Sequence, residues 1–374
     1  MIVLEALKSM FESTGLVQLT VGNIFLIAVG ILLVYLAIYK KYEPFLLLPI
    51  GFGCIVANIP GIDLLLPGGL FNYFYFGVEK IIYPPLIFLG VGAMTDFGPM
   101  IANPSLIILG AFAHIGIFVA LIGAKLLGFT IREAGAIGII GGADGPMAIY
   151  VTQKLAPHLM AQVSVAAYSY MALMPLIQPP IMKLLTTHEE RTIIMEQVRP
   201  VSNREKIIFP IAVTIIIDLL LPPIAPLITM LMLGNLLRES KVVDRLAKTA
   251  SGEFMNVITL LLGLAIGSTM SATTFLNLKT LEIVVLGLIA FITGTAGGVM
   301  GAKLLNKLSG GRVNPLIGSA GIASVPIAAR VSHIVARSEN KFNFLIMHAM
   351  GPNLAGVFGT AIAGGILLTL LGVR

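Results

Sequence analysis

Long runs of apolar residues, separated by short polar stretches, constrain this chain more than any other feature. A membrane-crossing helix needs about 20 predominantly apolar residues. Of the 374 residues 57% are hydrophobic and 11% are charged, whereas a soluble domain carries about 25% charged residues. The pattern predicts an all-α polytopic membrane protein and excludes a soluble enzyme and a nucleic-acid-binding protein. The candidate crossings lie at about 21–39, 44–58, 81–95, 104–128, 159–185, 206–221, 223–237, 256–271, 281–300 and 343–371.

Two further runs, at about 131–152 and 313–336, are interrupted by glycine, proline and polar residues. Non-helical backbone at membrane depth is tolerated only where it is buried in protein or lines a cavity. We therefore predict two broken, re-entrant helical segments that enter the membrane and return on the same side.

The two halves of the chain share a weak repeat. Residues 123–127 recur letter for letter at 301–305, 178 positions later, and an offset of 180 lays 143–148 over 323–328. With five net crossings per half, the second half would enter from the opposite face, which is the inverted-topology repeat of secondary transporters. The predicted segments are an amphipathic helix on the membrane surface (1–20), a first repeat (21–185), a hydrophilic loop (186–206) and a second repeat (207–374).

Charge placement predicts the orientation. The formal net charge is +6, and the Lys and Arg residues fall between apolar runs, as cytoplasmic loops require. If Lys40 and Lys41 are cytoplasmic, the basic central loop is cytoplasmic too, whereas Lys125 and Arg132 fall outside. We expect a multi-pass protein of the cell membrane.

The segment Gly141-Gly142-Ala143-Asp144-Gly145-Pro146 is the strongest local signal for a site. An acidic residue within the membrane is costly and is a functional-site hypothesis by default. The flanking glycines and proline free backbone carbonyls, which together with the Asp144 carboxylate suit a hard cation. Sodium or a proton carried on Asp144 fits this pattern. The structural alternative is an aspartate at a loop tip on the membrane surface.

The matching segment of the second half offers neutral oxygen atoms. Asn314, Ser319 and Ser324 are candidate sodium ligands, although serine on a glycine-rich helix also serves in helix packing. In the last apolar run, Asn353 follows a Gly-Pro break and is a further candidate ligand. His348, close by, is either a ligand or a packed core histidine.

Other polar side chains lie near these breaks. Tyr168 and Tyr170 need hydrogen-bond partners inside the bilayer, which could be an ion, a substrate or a carbonyl. The planar guanidinium of Arg330 suits a carboxylate, and the alternative is an arginine that snorkels to the interface. Asp96 ranks below Asp144 because its repeat counterpart has no acid.

Four motifs resemble a known family. The segments GGADGPMAIYVTQKLAP, AAYSYMALMPLIQPPIMKLLTT, NPLIGSAGIASVPIAARVS and HAMGPNLAG look like those of the β subunit of sodium-pumping biotin-dependent decarboxylases. That family acts on oxaloacetate, methylmalonyl-CoA and glutaconyl-CoA. The resemblance runs from about residue 20 to the end of the chain.

The resemblance implies a function and a set of roles. The β subunit decarboxylates carboxybiotin and couples this reaction to sodium export, with a proton consumed. Implied partners are a soluble carboxyltransferase α subunit, a biotin carrier protein or domain, a small membrane accessory subunit, membrane lipid and further copies in an oligomer. The implied catalytic residues are Asp144, Tyr170 (proton delivery) and Arg330. Arg330 and Asn314 would contact carboxybiotin, and sodium would bind Asp144, Asn314, Asn353 and one of two serines, Ser324 or Ser319.

A stand-alone secondary transporter, driven by sodium or protons and carrying a small carboxylate, is the alternative function. Inverted repeats and broken helices serve such a transporter equally well. Dependence on a biotinylated partner distinguishes the two.

Overall fold

The computed structural model describes residues 14–62, 64–196, 199–275 and 277–372. Helices and helical turns are the regular elements of these ranges. Two 3-10 segments, Ile139–Gly142 and Pro315–Gly321, interrupt the helical order at the predicted breaks. The α-helices are α1 (Val21–Tyr39), α2 (Pro44–Ala57), α3 (Leu70–Glu79), α4 (Tyr83–Met94), α5 (Gly98–Ala102), α6 (Ile107–Ala113), α7 (Ile115–Leu126), α8 (Ile131–Gly138), α9 (Gly145–Leu155), α10 (Met160–Leu185), α11 (His188–Thr192), α12 (Asn203–Leu220), α13 (Ala225–Ser240), α14 (Asp244–Thr249), α15 (Met255–Ser268), α16 (Ala272–Phe275), α17 (Leu278–Leu308), α18 (Ile327–Glu339) and α19 (Ile346–Leu370).

The apolar runs of the sequence correspond closely to these helices. Within the described ranges, six helical stretches are long and apolar enough to cross a membrane, and α3 with α4, bent by 72°, would add a seventh. The prediction of an all-helical polytopic membrane protein is confirmed. The six stretches are Val21–Tyr39, Pro104–Leu126, Pro157–Leu185, Asp244–Ser268, Leu278–Leu308 and Ile346–Leu370.

The start of the chain was predicted to form a surface helix over 1–20. Residues 1–13 lie outside the described ranges, and residues 15–18 form a turn. Thr20 then caps α1: its hydroxyl accepts from the backbone N–H of Asn23, whose side chain accepts from the Thr20 N–H. This reciprocal cap satisfies N–H groups that the first helical turn leaves without partners.

The chain forms two compact units. One consists of the described part of Met1–Tyr83 together with Asn256–Leu281. Within it, α1 and α2 pack closely through glycines: a Cβ atom on Gly30 would lie 2.7 Å from the carbonyl oxygen of Gly51. Small residues allow such close backbone approach between membrane helices.

The other unit comprises Pro84–Met255 and Glu282–Arg374 and contains both broken segments. The compact units therefore divide the chain differently from the predicted repeats at 21–185 and 207–374. Those repeat boundaries stay a prediction, because a repeat concerns the order of elements and a compact unit concerns their packing.

The first broken segment is a re-entrant hairpin, called the first hairpin (130–158). Thr130 caps α8 together with Glu133. The Glu133 carboxylate, in the first turn of α8, also accepts a hydrogen bond of 2.8 Å from the Nε2 atom of His158, just after α9. The two ends of the segment therefore lie on one face of the unit, as the sequence predicts.

The second broken segment closes in the same way and is called the second hairpin (314–343). Asn314 at its start and Asn343 at its end each donate from Nδ2 to the backbone carbonyls of Arg191 and Ile193, at 2.9–3.1 Å. Both ends of this hairpin thus lie at the connection that follows α11.

Two long helices join the faces on which the hairpins begin. α10 starts beside His158, and Lys183 near its end lies 3.5 Å from the Glu339 carboxylate at the end of the second hairpin. α19 starts three residues after Asn343, and the carbonyl of Leu371 just after it accepts from Arg132 in α8 at 3.4 Å. Helices of 25 and 26 residues extend about 38 Å at 1.5 Å per residue, enough to cross a hydrocarbon core of about 30 Å. The two hairpins therefore enter this unit from opposite faces.

Basic residues concentrate on the face of the second hairpin. The positive-inside rule predicts that such a face is cytoplasmic and that the first hairpin opens outside. This orientation stays a prediction, and the name cytoplasmic face is used below for the face so predicted. The basic residues of the cytoplasmic face include Lys183, Arg191, Lys303, Arg312 and Arg337, against Lys125, Arg132 and Lys154 on the opposite face.

Candidate functional site

The first hairpin breaks at the predicted motif. α8 ends at Gly138, the 3-10 turn Ile139–Gly142 follows, and Ala143 adopts a left-handed conformation with φ of 53°. Asp144 is the N-cap of α9, and its Oδ1 accepts from the N–H of Met147 at 3.0 Å. A side-chain oxygen at this position satisfies an N–H group that has no partner within the helix.

Asp144 is 6% exposed. In the described part of the chain its Oδ1 receives the one hydrogen bond made to this carboxylate, so Oδ2 has no protein donor. A buried carboxylate with so little neutralisation is costly unless it is paired with a cation or protonated. The geometry therefore leaves a place for a cation at Oδ2.

The tips of the two hairpins, residues 142–144 of the first and 320–324 of the second, meet. The backbone N–H of Ala323 donates to the carbonyl of Gly142 at 2.9 Å, and the hydroxyl of Ser324 donates to the carbonyl of Ala143 at 2.9 Å. The sequence repeat aligned residues 143–148 with 323–328, and Ala323 and Ser324 each contact the residue one position before their aligned partner. Ser324 thus lies next to the break that carries Asp144, with its oxygen lone pairs not used in this bond.

Helix α19 supports the second tip. Asn353, fully buried, donates from Nδ2 to the carbonyls of Ala320 and Ile322 at 3.1 and 2.7 Å. Its Oδ1 is buried and has no hydrogen-bond partner in the described structure. A buried carbonyl oxygen without a donor carries the desolvation penalty of an unmade bond, which a cation would remove.

Two of the predicted ligands lie elsewhere in the second hairpin. Asn314 caps its start: Oδ1 accepts from the N–H of Leu316 at 3.0 Å, while Nδ2 binds the carbonyls at the cytoplasmic end. The Ser319 hydroxyl donates to the carbonyl of Leu316 at 2.8 Å and lies 2.8 Å from that of Ser332. The structure does not bring the side chains of Asn314 and Ser319 into the contacts between the tips.

The two tyrosines of α10 face different neighbours. The Tyr170 hydroxyl donates to the backbone carbonyl of Val284 on α17. The ring of Tyr168 lies against Gly145, where a Cβ atom would overlap it. The structure therefore places Tyr168, rather than Tyr170, directly against the segment that carries Asp144.

Arg330 lies in the first turns of α18, shortly after the second tip, and its side chain is exposed. Arg337, also exposed, follows seven positions later on the same helical face. This face offers two guanidinium groups between the second tip and the cytoplasmic end of the hairpin.

The sequence analysis missed two residues near the first tip, Thr360, which contacts it, and His114, which contacts Thr360. Thr360 on α19 has its hydroxyl oxygen 3.4 Å from the carbonyl of Gly142, and His114, between α6 and α7, has its Nε2 2.7 Å from the same hydroxyl. A histidine inside an apolar run is itself a signal for a functional residue. No local pattern distinguishes Thr360 from other hydroxyl residues of membrane helices.

Ion pairs lie at the open end of each hairpin, where its two ends come together, and this end is called the mouth. At the cytoplasmic mouth, Glu339 accepts from His188 at 2.8 Å and lies 3.3 Å from Nε of Arg191. The hydrogen bond from His188, with the charges of Arg191 and Lys183, lowers the pKa of Glu339. At the other mouth, partial burial of Glu133 is outweighed by hydrogen bonds from His158 and Thr130, which lower its pKa to about 2. Both carboxylates are ionised near neutral pH.

The polar groups at the tips form an all-oxygen set. They comprise the Asp144 carboxylate, the Ser324 hydroxyl, backbone carbonyls and, on α19, the Asn353 amide oxygen. The described residues contain no group of three or more His, Cys, Asp or Glu that could hold a metal ion. One negative charge among neutral oxygens suits a hard monovalent cation rather than a transition metal.

Comparisons with known proteins bear on these features. A model of the family described as "Na+-transporting oxaloacetate decarboxylase beta subunit" matches residues 22–371. The chain is 57% identical over 367 residues to glutaconyl-CoA decarboxylase subunit beta of Acidaminococcus fermentans, covering 98% of both chains. It is also 57% identical over 368 residues to methylmalonyl-CoA decarboxylase subunit beta of Veillonella parvula, again covering 98% of both. Against the oxaloacetate decarboxylase beta chain of Klebsiella pneumoniae it is 46% identical over 427 residues, covering 98% of this chain and 99% of the relative. The resemblance found in the four sequence motifs is confirmed.

Proposed function

The chain belongs to the family of β subunits of Na+-transporting decarboxylases, and on that premise we propose how its residues work. It is a multi-pass protein of the cell membrane that couples a decarboxylation to sodium export. The substrate of the membrane step is carboxybiotin on a biotin carrier, loaded by a soluble carboxyltransferase α subunit. A small membrane subunit and further copies of the chain complete the assembly. The α subunit selects the acid or acyl-CoA that is consumed.

Sodium binds where the hairpin tips meet. The observation that carries this assignment is the buried Asp144 carboxylate, which accepts a hydrogen bond at Oδ1, beside two tips joined by hydrogen bonds, together with the buried Oδ1 of Asn353, which has no partner in the described structure. Ser324 and the tip carbonyls supply further oxygens. Asn314 and Ser319, which the resemblance implies as ligands, act here as internal supports of the second hairpin.

Carboxybiotin reaches the chain from the cytoplasm. Exposed Arg330 binds its carboxylate, which a guanidinium recognises through paired hydrogen bonds. The C–N bond of the carboxybiotin breaks, its electron pair stays on the ureido nitrogen, and CO2 leaves. That nitrogen takes up one proton, which the Tyr170 hydroxyl delivers and then replaces from water. Each turnover therefore consumes one proton.

Export requires the sodium site to face the two sides of the membrane in turn. The hairpins enter from opposite faces and are hydrogen-bonded to each other at their tips, so a small displacement of one tip exposes the ion to one side. Loss of the carboxylate removes the negative charge that Arg330 holds near the second tip, and this change in charge drives the displacement.

Proton- or sodium-driven transport of a free carboxylate is the alternative for such a fold, and no observation favours it. The two functions separate in one experiment. The assembled complex in liposomes would be assayed for CO2 release from carboxybiotin and for movement of radioactive sodium. Sodium movement driven by a carboxylate gradient, without CO2 release, would establish the alternative.

Asp144→Asn tests the assigned site in the same liposomes. Asparagine retains the oxygen that accepts from Met147, so α9 stays capped while the charge is lost. We expect loss of sodium-stimulated CO2 release and of sodium movement. Asp218→Asn is the matched control, because Asp218 lies on apolar α12 and is hydrogen-bonded to Thr229 at 2.7 Å, away from the tips. Full sodium-coupled turnover by Asp144→Asn would refute the assignment.

A further inference from the structure

His114 and Thr360 form a buried polar pair that the mechanism above does not use. His114 is 5% exposed and Thr360 is fully buried. Nε2 of His114 lies 2.7 Å from Oγ1 of Thr360. The two residues lie in or beside two of the stretches that are long and apolar enough to cross a membrane, Pro104–Leu126 and Ile346–Leu370. Polar groups at such a depth are costly and mark ion or substrate pathways.

The ring of His114 can be oriented from its neighbours. Its Nδ1 is hydrogen-bonded to the backbone carbonyl of Gly110, which can only accept, so Nδ1 carries the hydrogen. In a neutral imidazole Nε2 is then an acceptor. The hydroxyl of Thr360 lies within hydrogen-bond distance of Nε2, so in this tautomer Thr360 donates its hydrogen to His114.

That assignment leaves Thr360 without a hydrogen for its other neighbours. Oγ1 of Thr360 lies 3.0 Å from the carbonyl oxygen of Gly356 and 3.4 Å from that of Gly142. A hydroxyl has one hydrogen, and His114 takes it. The lone pairs of Thr360 and the carbonyl of Gly142 therefore face each other with no hydrogen between them, an arrangement that a cation stabilises.

Two glycines allow Thr360 to lie close to the first tip and His114 to lie close to α19. A Cβ atom at Gly142 would lie 2.5 and 2.6 Å from Cγ2 and Oγ1 of Thr360. A Cβ atom at Gly359 would overlap the ring of His114. The second glycine of the GGADGP motif is therefore needed to let Thr360 reach the first tip, and not only to break the helix.

We propose that Thr360 is a sodium ligand on the first tip, together with the carbonyl of Gly142, and that His114 is the positioning residue that turns the lone pairs of Thr360 toward the ion. The proposal rests on the assignment of the sodium site to the hairpin tips. It adds a hydroxyl from the middle of α19 to the oxygens around Asp144. Asn353 and Thr360, two helical turns apart, then tie both tips to one helix.

Paired variants test the proposal in the assembled complex. Thr360→Val replaces the hydroxyl with a methyl group of similar size, whereas Thr360→Ser keeps it. His114→Gln keeps one donor and one acceptor, whereas His114→Leu keeps neither. The readouts are the sodium concentration for half-maximal CO2 release, the rate at saturating sodium, and the rise in melting temperature that sodium produces over potassium in the purified chain. The last readout needs no turnover.

Thr360→Val and His114→Leu should raise the half-maximal sodium concentration about 10- to 100-fold, the range found for groups around a metal, and should shrink the sodium-specific rise in melting temperature. Thr360→Ser and His114→Gln should stay within about threefold of the unmodified complex. The rate at saturating sodium should change much less than the half-maximal concentration.

An unchanged sodium requirement in Thr360→Val, with sodium dependence abolished by Asp144→Asn, would overturn this proposal and leave the tip site standing. Sodium dependence that survives Asp144→Asn would instead refute the tip site itself. If Thr360→Val does not fold, Thr360→Ala, which introduces no new atoms, takes its place with the same expected outcome. Equal loss in Thr360→Ser and Thr360→Val would show a packing role and would also overturn the proposal.

Discussion

Replacing Asn353 with leucine removes the side chain that holds the second hairpin tip against α19. Leucine has nearly the same size but donates nothing to the carbonyls of Ala320 and Ile322, which Asn353 contacts at 3.1 and 2.7 Å. A protein hydrogen bond contributes about 1 kcal/mol net, so two such bonds contribute about 2 kcal/mol to the closed tip. That free energy corresponds to about 30-fold in an equilibrium constant.

The half-maximal sodium concentration for CO2 release by Asn353→Leu should therefore rise at least about 30-fold, because sodium binds the closed arrangement of the tips. The loss of Oδ1 as a ligand adds to this effect. Asn235→Leu is the matched control: Asn235 is also buried and donates to the carbonyl of Thr95 at 3.0 Å, away from the tips. It should lower the melting temperature without changing the sodium requirement. An unchanged sodium requirement in Asn353→Leu, or an equal rise in both variants, would refute the reasoning.

Three further predictions concern the mouth of the second hairpin and the decarboxylation step. The hydrogen bond and ion pairs of Glu339 lower its pKa in the folded chain. They therefore stabilise the folded chain at pH values above the pKa of an unfolded glutamate, about 4.3. This stabilisation is lost as the pH falls through the lower pKa of the folded chain. The melting temperature of Glu339→Gln should therefore lie below that of the unmodified chain at pH 7, and the difference should shrink toward pH 4; a constant difference would contradict the assignment. Tyr170→Phe should lower the rate of CO2 release several-fold, because the proton path is cut, while the half-maximal sodium concentration stays the same; a parallel change in both would place Tyr170 at the ion instead. Arg330→Gln should raise the KM for carboxybiotin and leave the sodium-induced rise in melting temperature intact, and an unchanged KM would remove Arg330 from substrate binding.

Most of the architecture could be predicted from local features of the amino-acid sequence. Apolar runs mark membrane helices because the bilayer core admits only segments whose backbone groups are satisfied internally. Glycine and proline marked the two breaks, and the repeat identified which residues of the breaks correspond. Ala323 and Ser324 contact the carbonyls of Gly142 and Ala143, one position before their aligned partners, and the repeat itself stays a prediction.

The sequence could not assign the polar side chains around the breaks. Asn314 and Asn353 both lie in motifs that look suited to sodium. Asn314 nevertheless donates to the carbonyl of Arg191 at the cytoplasmic end of the second hairpin, whereas Asn353 donates to the carbonyl of Ile322 at the second tip. Tyr168 and Tyr170 are two positions apart on one helix, which turns their side chains about 200° from each other. Only the packing of α10 decides that Tyr168 lies against Gly145 and that Tyr170 lies against α17.

What the sequence determined by itself was therefore the set of membrane helices, the two broken segments, the carboxylate at the first break and the family. The helices and the breaks follow from composition and from local backbone preference, which neighbouring residues decide, whereas the family follows from the four motifs. The tertiary structure alone decided which oxygens converge, because residues far apart in the chain, such as His114, Gly142 and Thr360, meet only when helices pack at particular rotations. A rotation of one residue about a helix axis is 100°, and no local pattern specifies it for three elements at once.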